Sequence, residues 1–95
     1  GLVENLLRSI PKNLTLKISF NKIKISKIFK WLRSNKISDQ EMLRTFNCGV
    51  GFCIIVTNKN ISKIKKIFEK KFNPYEIGYI TKEKLKVNLI DTLKW

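Results

Sequence analysis

Histidine and alanine are both missing from this sequence, and cysteine, proline and glycine are scarce. Without histidine there is no Ser/His/Asp or Cys/His arrangement for nucleophilic catalysis, and the commonest transition-metal ligand is gone. Two cysteines, Cys48 and Cys53, are too few for a four-cysteine zinc site or a disulfide framework. They flank the start of one expected strand at an odd spacing, which sends their side chains to opposite faces and argues against a local disulfide. They read as buried free thiols in a reducing compartment. No carboxylate cluster has metal-ligand spacing. Gly1, Gly49, Gly51 and Gly78 fit neither a phosphate loop nor a dinucleotide fingerprint. No apolar run approaches the ~20 residues of a membrane span, and the opening residues are not a signal peptide.

Acidic residues are few as well: seven Asp and Glu against twenty Lys and Arg give a formal net charge of +13. That balance invites a nucleic-acid partner. Three features count against one. Only Arg8, Arg33 and Arg44 are arginines, whereas base-reading surfaces favour arginine. The lysines are scattered over every expected element rather than forming a stripe. Abundant Lys, Ile, Asn and Phe with no alanine is the bias of an AT-rich coding sequence. A stand-alone basic nucleic-acid-binding module is the alternative reading, supported by charge alone.

With 95 residues the chain allows one small domain. It starts with Gly1 rather than Met, which suggests a processed product or a piece of something longer. Leu2, Leu6 and Ile10 make an amphipathic helix over 2–10, ended by Pro11. A glycine just before a helix can bring backbone N–H groups up to an anion, although glycine is ordinary there. Leu14, Leu16, Ile18 and Phe20 alternate with polar residues, which predicts a half-buried strand with one polar face. Ser26 can cap a helix whose apolar positions are Ile28, Phe29, Trp31 and Leu32, with Trp31 expected in the core or at a domain interface. Val50 to Val56 is apolar at nearly every position and predicts a central strand buried on both faces. Asn60 or Ser62 caps a further helix to about Lys71, with Ile61, Ile64, Ile67, Phe68 and Phe72 as its buried stripe and lysines over the rest. After Pro74, Tyr75–Ile80 and Leu85–Ile90 read as an antiparallel hairpin, and 91–95 as a tail open to fraying. The order helix, strand, helix, helix, strand, helix, strand, strand implies an α/β fold, a layered mixed sheet with helices.

Between the second and third helical stretches and the central strand lies the most informative segment, residues 41–52. Ser38 and Glu41 have capping-box spacing for a short helix. That helix runs into Arg44, Thr45 and Asn47, followed by Gly49 and Gly51. A polar turn with glycines at the head of a buried strand suits a ligand. It equally suits a bare helix-to-strand connection, with Asn47 closing the helix in a left-handed conformation.

The string Arg44-Thr45-Phe46-Asn47-Cys48-Gly49-Val50-Gly51 closely resembles the C-terminal domain of the aminoimidazole ribonucleotide synthetases, the phosphoribosylformylglycinamidine cyclo-ligase family. Gly1-Leu2-Val3-Glu4-Asn5-Leu6 with Arg8 and Pro11 resembles the tail of that family's triple-glycine segment and the helix after it. Phe29, Trp31 and Leu32 match the helix before the signature, and Ile77-Gly78 the start of the closing hairpin. The sequence departs from the family pattern at Leu7, Ile23, Ser26 and Phe52, none of which removes a polar site group.

The resemblance implies that residues 1–95 are a partial C-terminal domain, its second half, with the N-terminal ATP-binding and dimerisation domain absent. It implies a cytoplasmic, homodimeric purine-biosynthesis enzyme that closes formylglycinamidine ribonucleotide to aminoimidazole ribonucleotide with ATP and Mg²⁺, both bound mainly by the missing domain. Neither nucleic acid nor membrane is an expected partner. Substrate contact or domain closure falls to Gly1, Asn5, Arg44, Thr45 and Asn47, with Gly49 and Gly51 shaping the turn. No residue is expected to be a catalytic nucleophile or a metal ligand, and the isolated chain is expected to be inactive.

Overall fold

The computed structural model describes residues 1–83, 87–89 and 91–95, with 87–89 as backbone only. Its helices are α1 (Leu2–Arg8), α2 (Lys27–Ser34), α3 (Asp39–Thr45) and α4 (Ile61–Ile67). Its strands are β1 (Thr15–Ile18), β2 (Gly78–Thr81) and β3 (Val87–Leu89), and short 3-10 turns occupy Phe20–Lys22, Asn58–Asn60 and Lys70–Phe72. The strands form one mixed sheet in the order β2-β1-β3. β1 runs antiparallel to β2, Leu16 opposite Ile80, and parallel to β3, Leu16 opposite Val87. This is the α/β class with a mixed sheet that the element order implied.

The core lies over β1. Leu16, Ile18 and Phe20 are buried together with Leu2 of α1, Met42 of α3, Ile23, Cys48 and Leu93. The expected polar face of β1 is buried too, since Thr15 and Ser19 are both covered. Their hydroxyls stay satisfied: Thr15 Oγ1 donates to the Glu83 carbonyl at 2.9 Å, and Ser19 Oγ to Asp91 Oδ2 at 2.7 Å. A buried hydroxyl with a partner avoids the ~1–3 kcal/mol of an unmade bond. The parts of α2 that pack are Phe29 and Leu32, one helical turn apart. Phe29 meets Phe46 with ring centroids 5.8 Å apart. Trp31 lies on the opposite side of that stripe and is 61% exposed, so it is not a core residue.

Four expectations about the later elements need correction. The last two strands are not a hairpin: β2 and β3 lie on either side of β1 and do not pair with each other. Of the expected second strand, Leu85, Lys86 and Ile90 lie outside the described residues. The segment Val50 to Val56 is not a central strand; Gly51–Thr57 belong to no helix or strand. β2 and β3 already take both edges of β1, so no ladder position beside it remains. Consequently Phe52 is 86% exposed, and Ile54, Ile55 and Val56 are exposed with it. The stripe expected on α4 is only partly covered: Ile61 and Ile64 are half-buried, Ile67 is 67% and Phe72 61% exposed, and the helix stops at Ile67 rather than near Lys71. Lastly, residues 91–95 do not fray. Leu93 is in the core, and Asp91 accepts from Ser19 Oγ and from the Asn21 backbone N–H at 2.9 Å.

Two outcomes follow from this packing. Contiguous exposed apolar area favours association, so the isolated chain should self-associate in sedimentation velocity as concentration rises through the micromolar range. A monodisperse monomer with a sharp, high thermal transition would contradict that. The Ser19 hydroxyl, and then the Asn21 and Phe20 amides and Lys22, hold the Asp91 carboxyl below its ordinary value of 3.8. A depressed folded-state value makes the Asp91 contribution complete above about pH 4, and acid removes it as pH falls further. Urea melts should therefore show Asp91→Asn losing less stability than the unmodified chain on going from pH 5 to more acidic conditions.

Candidate functional site

α3 starts and stops for local reasons. Ser38 Oγ accepts from the Glu41 N–H at 3.2 Å, which caps the first turn, and Asp39 and Glu41 place negative charge there. Met42, wholly buried, anchors the middle of the helix to the core. The helix ends at Thr45, and the chain turns through Asn47, Cys48 and Gly49. The left-handed positions are Cys48, at φ 55°, and Gly49, at φ 113°. Asn47 is therefore not the left-handed closing residue that a simple cap would make it. Its amide oxygen instead accepts from the Gly49 N–H at 3.0 Å, and its carbonyl accepts from Val50 N–H at 3.1 Å. The turn is thus closed by the Asn47 side chain reaching two residues forward.

Cys48 lies beneath this turn, wholly buried, with Sγ 3.8 Å from the Met42 carbonyl. Burial pushes its thiol up from 9.0, and the charge of Asp39 pushes the same way; burial alone raises Cys53. Both cysteines are free thiols held in the unreactive neutral form.

The polar residues singled out from the sequence fall in two groups. Arg44, Thr45 and Asn47 are exposed at the end of α3. Gly1 meets the same end from α1: a Cβ on Gly1 would stand 2.1 Å from the Leu43 carbonyl oxygen and 2.6 Å from that of Arg44. Glycine there is required by the close crossing of α1 and α3, which is independent of any anion. Asn5 follows one turn on, its Nδ2 donating to the Gly1 carbonyl at 2.7 Å. The structure thus gathers Gly1 and the Arg44–Asn47 turn at one place, with Asn5 attached through Gly1.

The two turn glycines differ. A Cβ on Gly49 would come within 2.9 Å of both the Lys24 carbonyl and Ser26 Oγ, and its φ is one that other residues rarely adopt. Among the described residues nothing beyond its chain neighbours would meet a Cβ on Gly51 within 4 Å. Only Gly49 shapes the turn.

Glu41 has a role beyond the helix start. Its carboxylate accepts from Thr45 Oγ1 at 2.8 Å through one oxygen and pairs with Arg44 Nε at 3.8 Å through the other. The (i, i+4) and (i, i+3) spacings carry that signal in the sequence, although they read there only as part of a capping box. A cavity of about 380 Å³ opens elsewhere, among Ile10, Leu14, Ile55, Val56 and Ile80, and none of the residues just described lines it. Among the described residues no group of three His, Cys, Asp or Glu could hold a metal ion, and no helix is long and apolar enough to cross a membrane.

A partial α/β domain with a side-chain-closed polar turn at a helix end is the class this geometry defines. Residues 1–90 match the family described as AIR synthase related protein, C-terminal domain, and the chain belongs to that family. Among curated relatives, the phosphoribosylformylglycinamidine cyclo-ligase of Xylella fastidiosa (strain Temecula1 / ATCC 700964) is 39% identical over 72 residues, 75% of this chain and 20% of the relative. The enzyme of the same name from Methylobacillus flagellatus is 37% identical over 82 residues, 84% of this chain and 24% of the relative. The chain therefore spans a fifth to a quarter of the length of these relatives. No solved structure matches it significantly.

The contrast between the two glycines is directly measurable. Gly49→Ala should cost about 1–3 kcal/mol in denaturant unfolding, from backbone strain and the Lys24 clash. Gly51→Ala should fall within about 1 kcal/mol of neutral and on the stabilising side if its φ suits alanine.

Proposed function

We propose that this chain is part of a purine-biosynthesis enzyme, an ATP-dependent cyclo-ligase that closes formylglycinamidine ribonucleotide to aminoimidazole ribonucleotide. The observation that carries the reading is the match over residues 1–90 to the family, with cyclo-ligases among its relatives, combined with the gathering of Gly1 and Arg44–Asn47 at one place. In this reaction ATP phosphorylates the formamide oxygen, and a nitrogen of the substrate attacks the activated carbon and expels phosphate as the ring closes. Such chemistry needs positioning and charge neutralisation more than a protein nucleophile.

This chain would supply the positioning. Arg44 offers a forked donor to a phosphate or phosphoryl oxygen, Thr45 a hydroxyl, and Asn47 an amide NH₂ while its oxygen holds the turn. Asn5 and the Gly1 backbone flank them. Glu41 keeps Arg44 and Thr45 oriented until a more strongly charged ligand takes its place. On the family resemblance ATP and Mg²⁺ would be held mainly by a further domain, which would also make the homodimer. On this reading the chain alone is inactive, the enzyme is cytoplasmic, and the lysine excess marks no nucleic-acid or membrane partner.

Asn47→Gly in the full-length protein separates a ligand contact from a structural turn. A turn role alone predicts a stability loss of up to about 1 kcal/mol with normal turnover. The proposed contact predicts kcat/KM lower by at least about tenfold, ~1.4 kcal/mol of transition-state stabilisation. Unchanged kinetics would remove Asn47 from the site.

A further inference from the structure

Residues 91–95 are fastened at three points. Asp91 is bonded to Ser19 and to the Asn21 backbone, Leu93 is 7% exposed within the core, and Trp95 reaches the start of α3. There Trp95 Nε1 donates to Asp39 Oδ1 at 2.9 Å, and Arg33 Nε of α2 donates to the same oxygen at 2.6 Å. The Arg33 guanidinium also lies 5.7 Å from the centre of the Trp95 ring. One carboxylate oxygen thus joins α2, α3 and the closing strap.

We infer that Trp95 is a positioning residue, which acts through Asp39 to fix the orientation of α3 and so of the Arg44–Asn47 turn. This rests on the reading of that turn as a substrate contact. α3 is a rod of seven residues, ~10 Å long at 1.5 Å per residue. Met42 pins its middle and Gly1 abuts its far end. A rod held at its middle swings at both ends, and a ~10° tilt about Met42 would carry the far end by ~1 Å over that half-length. Displacements of ~1 Å at reacting groups can cost on the order of a hundredfold in rate. The near end is held by Asp39. The Arg33–Asp39 pair on its own is partly exposed, with both side chains about two-fifths accessible, and such pairs hold geometry weakly. Trp95 adds a second donor to the same oxygen and a flat surface beside the guanidinium. The Leu93 and Asp91 anchors place that indole. Together they turn a loose surface pair into a fixed joint.

The test uses Trp95→Phe in the full-length protein, which keeps an aromatic ring beside Arg33 and removes the Nε1–H donor. Amide hydrogen exchange should quicken at residues 43–50 by about tenfold or more while β1 amides hold their protection. The KM for formylglycinamidine ribonucleotide should rise by roughly three- to tenfold with kcat little changed. Unchanged exchange at 43–50, or exchange that quickens uniformly along the chain, would overturn the inference, because a merely stabilising contact acts globally. If Trp95→Phe does not fold, Asp39→Asn keeps the shape of the joint and weakens both donors to it; the same local quickening is expected, and its absence overturns the inference. Substrate protection of the 44–50 amides in the unmodified protein decides the site reading separately. Without it the site reading falls, while local loosening by Trp95→Phe still establishes the joint.

Discussion

β1 pairs on both edges, and most of the structure depends on that. Strands drawn from the far end of the chain close over it, one antiparallel and one parallel. Every buried group around it then acquires a reason. Thr15 and Ser19 can be covered because the returning chain brings Glu83 and Asp91 to their hydroxyls. Leu16, Ile18 and Phe20 make a surface on which α1, α3 and Leu93 settle. The same pairing leaves the most apolar stretch of the sequence without a ladder. Phe52, Ile54, Ile55, Val56 and Ile67 remain at the surface, because apolar character creates a demand for burial and cannot create the neighbour that meets it.

The candidate site is a consequence of how α3 is held. Ser38 starts the helix, Met42 anchors it, Gly1 fits against its end, and Asp39 ties its start to α2 and to Trp95. The turn beyond it is a self-contained device. Asn47 closes it through its own amide oxygen, and Gly49 takes the backbone angle that the Lys24–Ser26 segment leaves as the only fit. Such a turn holds polar side chains in fixed relation without burying them. Recognition of a charged substrate by exposed donors needs that property.

The start and stop of α3 were legible in the sequence, because they depend on residues within a few positions. The left-handed option read at Asn47 falls instead on Cys48 and Gly49, and α1 ends at Arg8, short of the residue 10 expected before Pro11. The family resemblance was carried by the same local strings. Gly1 read as an anion approach, and the structure adds to that reading a close contact with the end of α3. Glu41 read as half of a capping box, whereas its carboxylate faces Arg44 and Thr45. Gly51 read as a shaper of the turn, and among the described residues a Cβ there would meet nothing within 4 Å.

By itself, the sequence determined the α/β class, the positions of most helices and the identity of the polar turn, since periodicity, caps and turn chemistry act over one or two helical turns. It also showed that the chain carries no histidine and only two cysteines. Tertiary structure decided which strands pair, which apolar residues find cover and where the closing residues dock. Two apolar strands near the chain's end look the same whether they pair with each other or straddle β1. A tail such as Asp-Thr-Leu-Lys-Trp looks frayed until Ser19 and Asp39 stand where Asp91 and Trp95 can reach them. Those outcomes turn on contacts between residues distant in sequence, and no local pattern encodes which of the possible partners arrives.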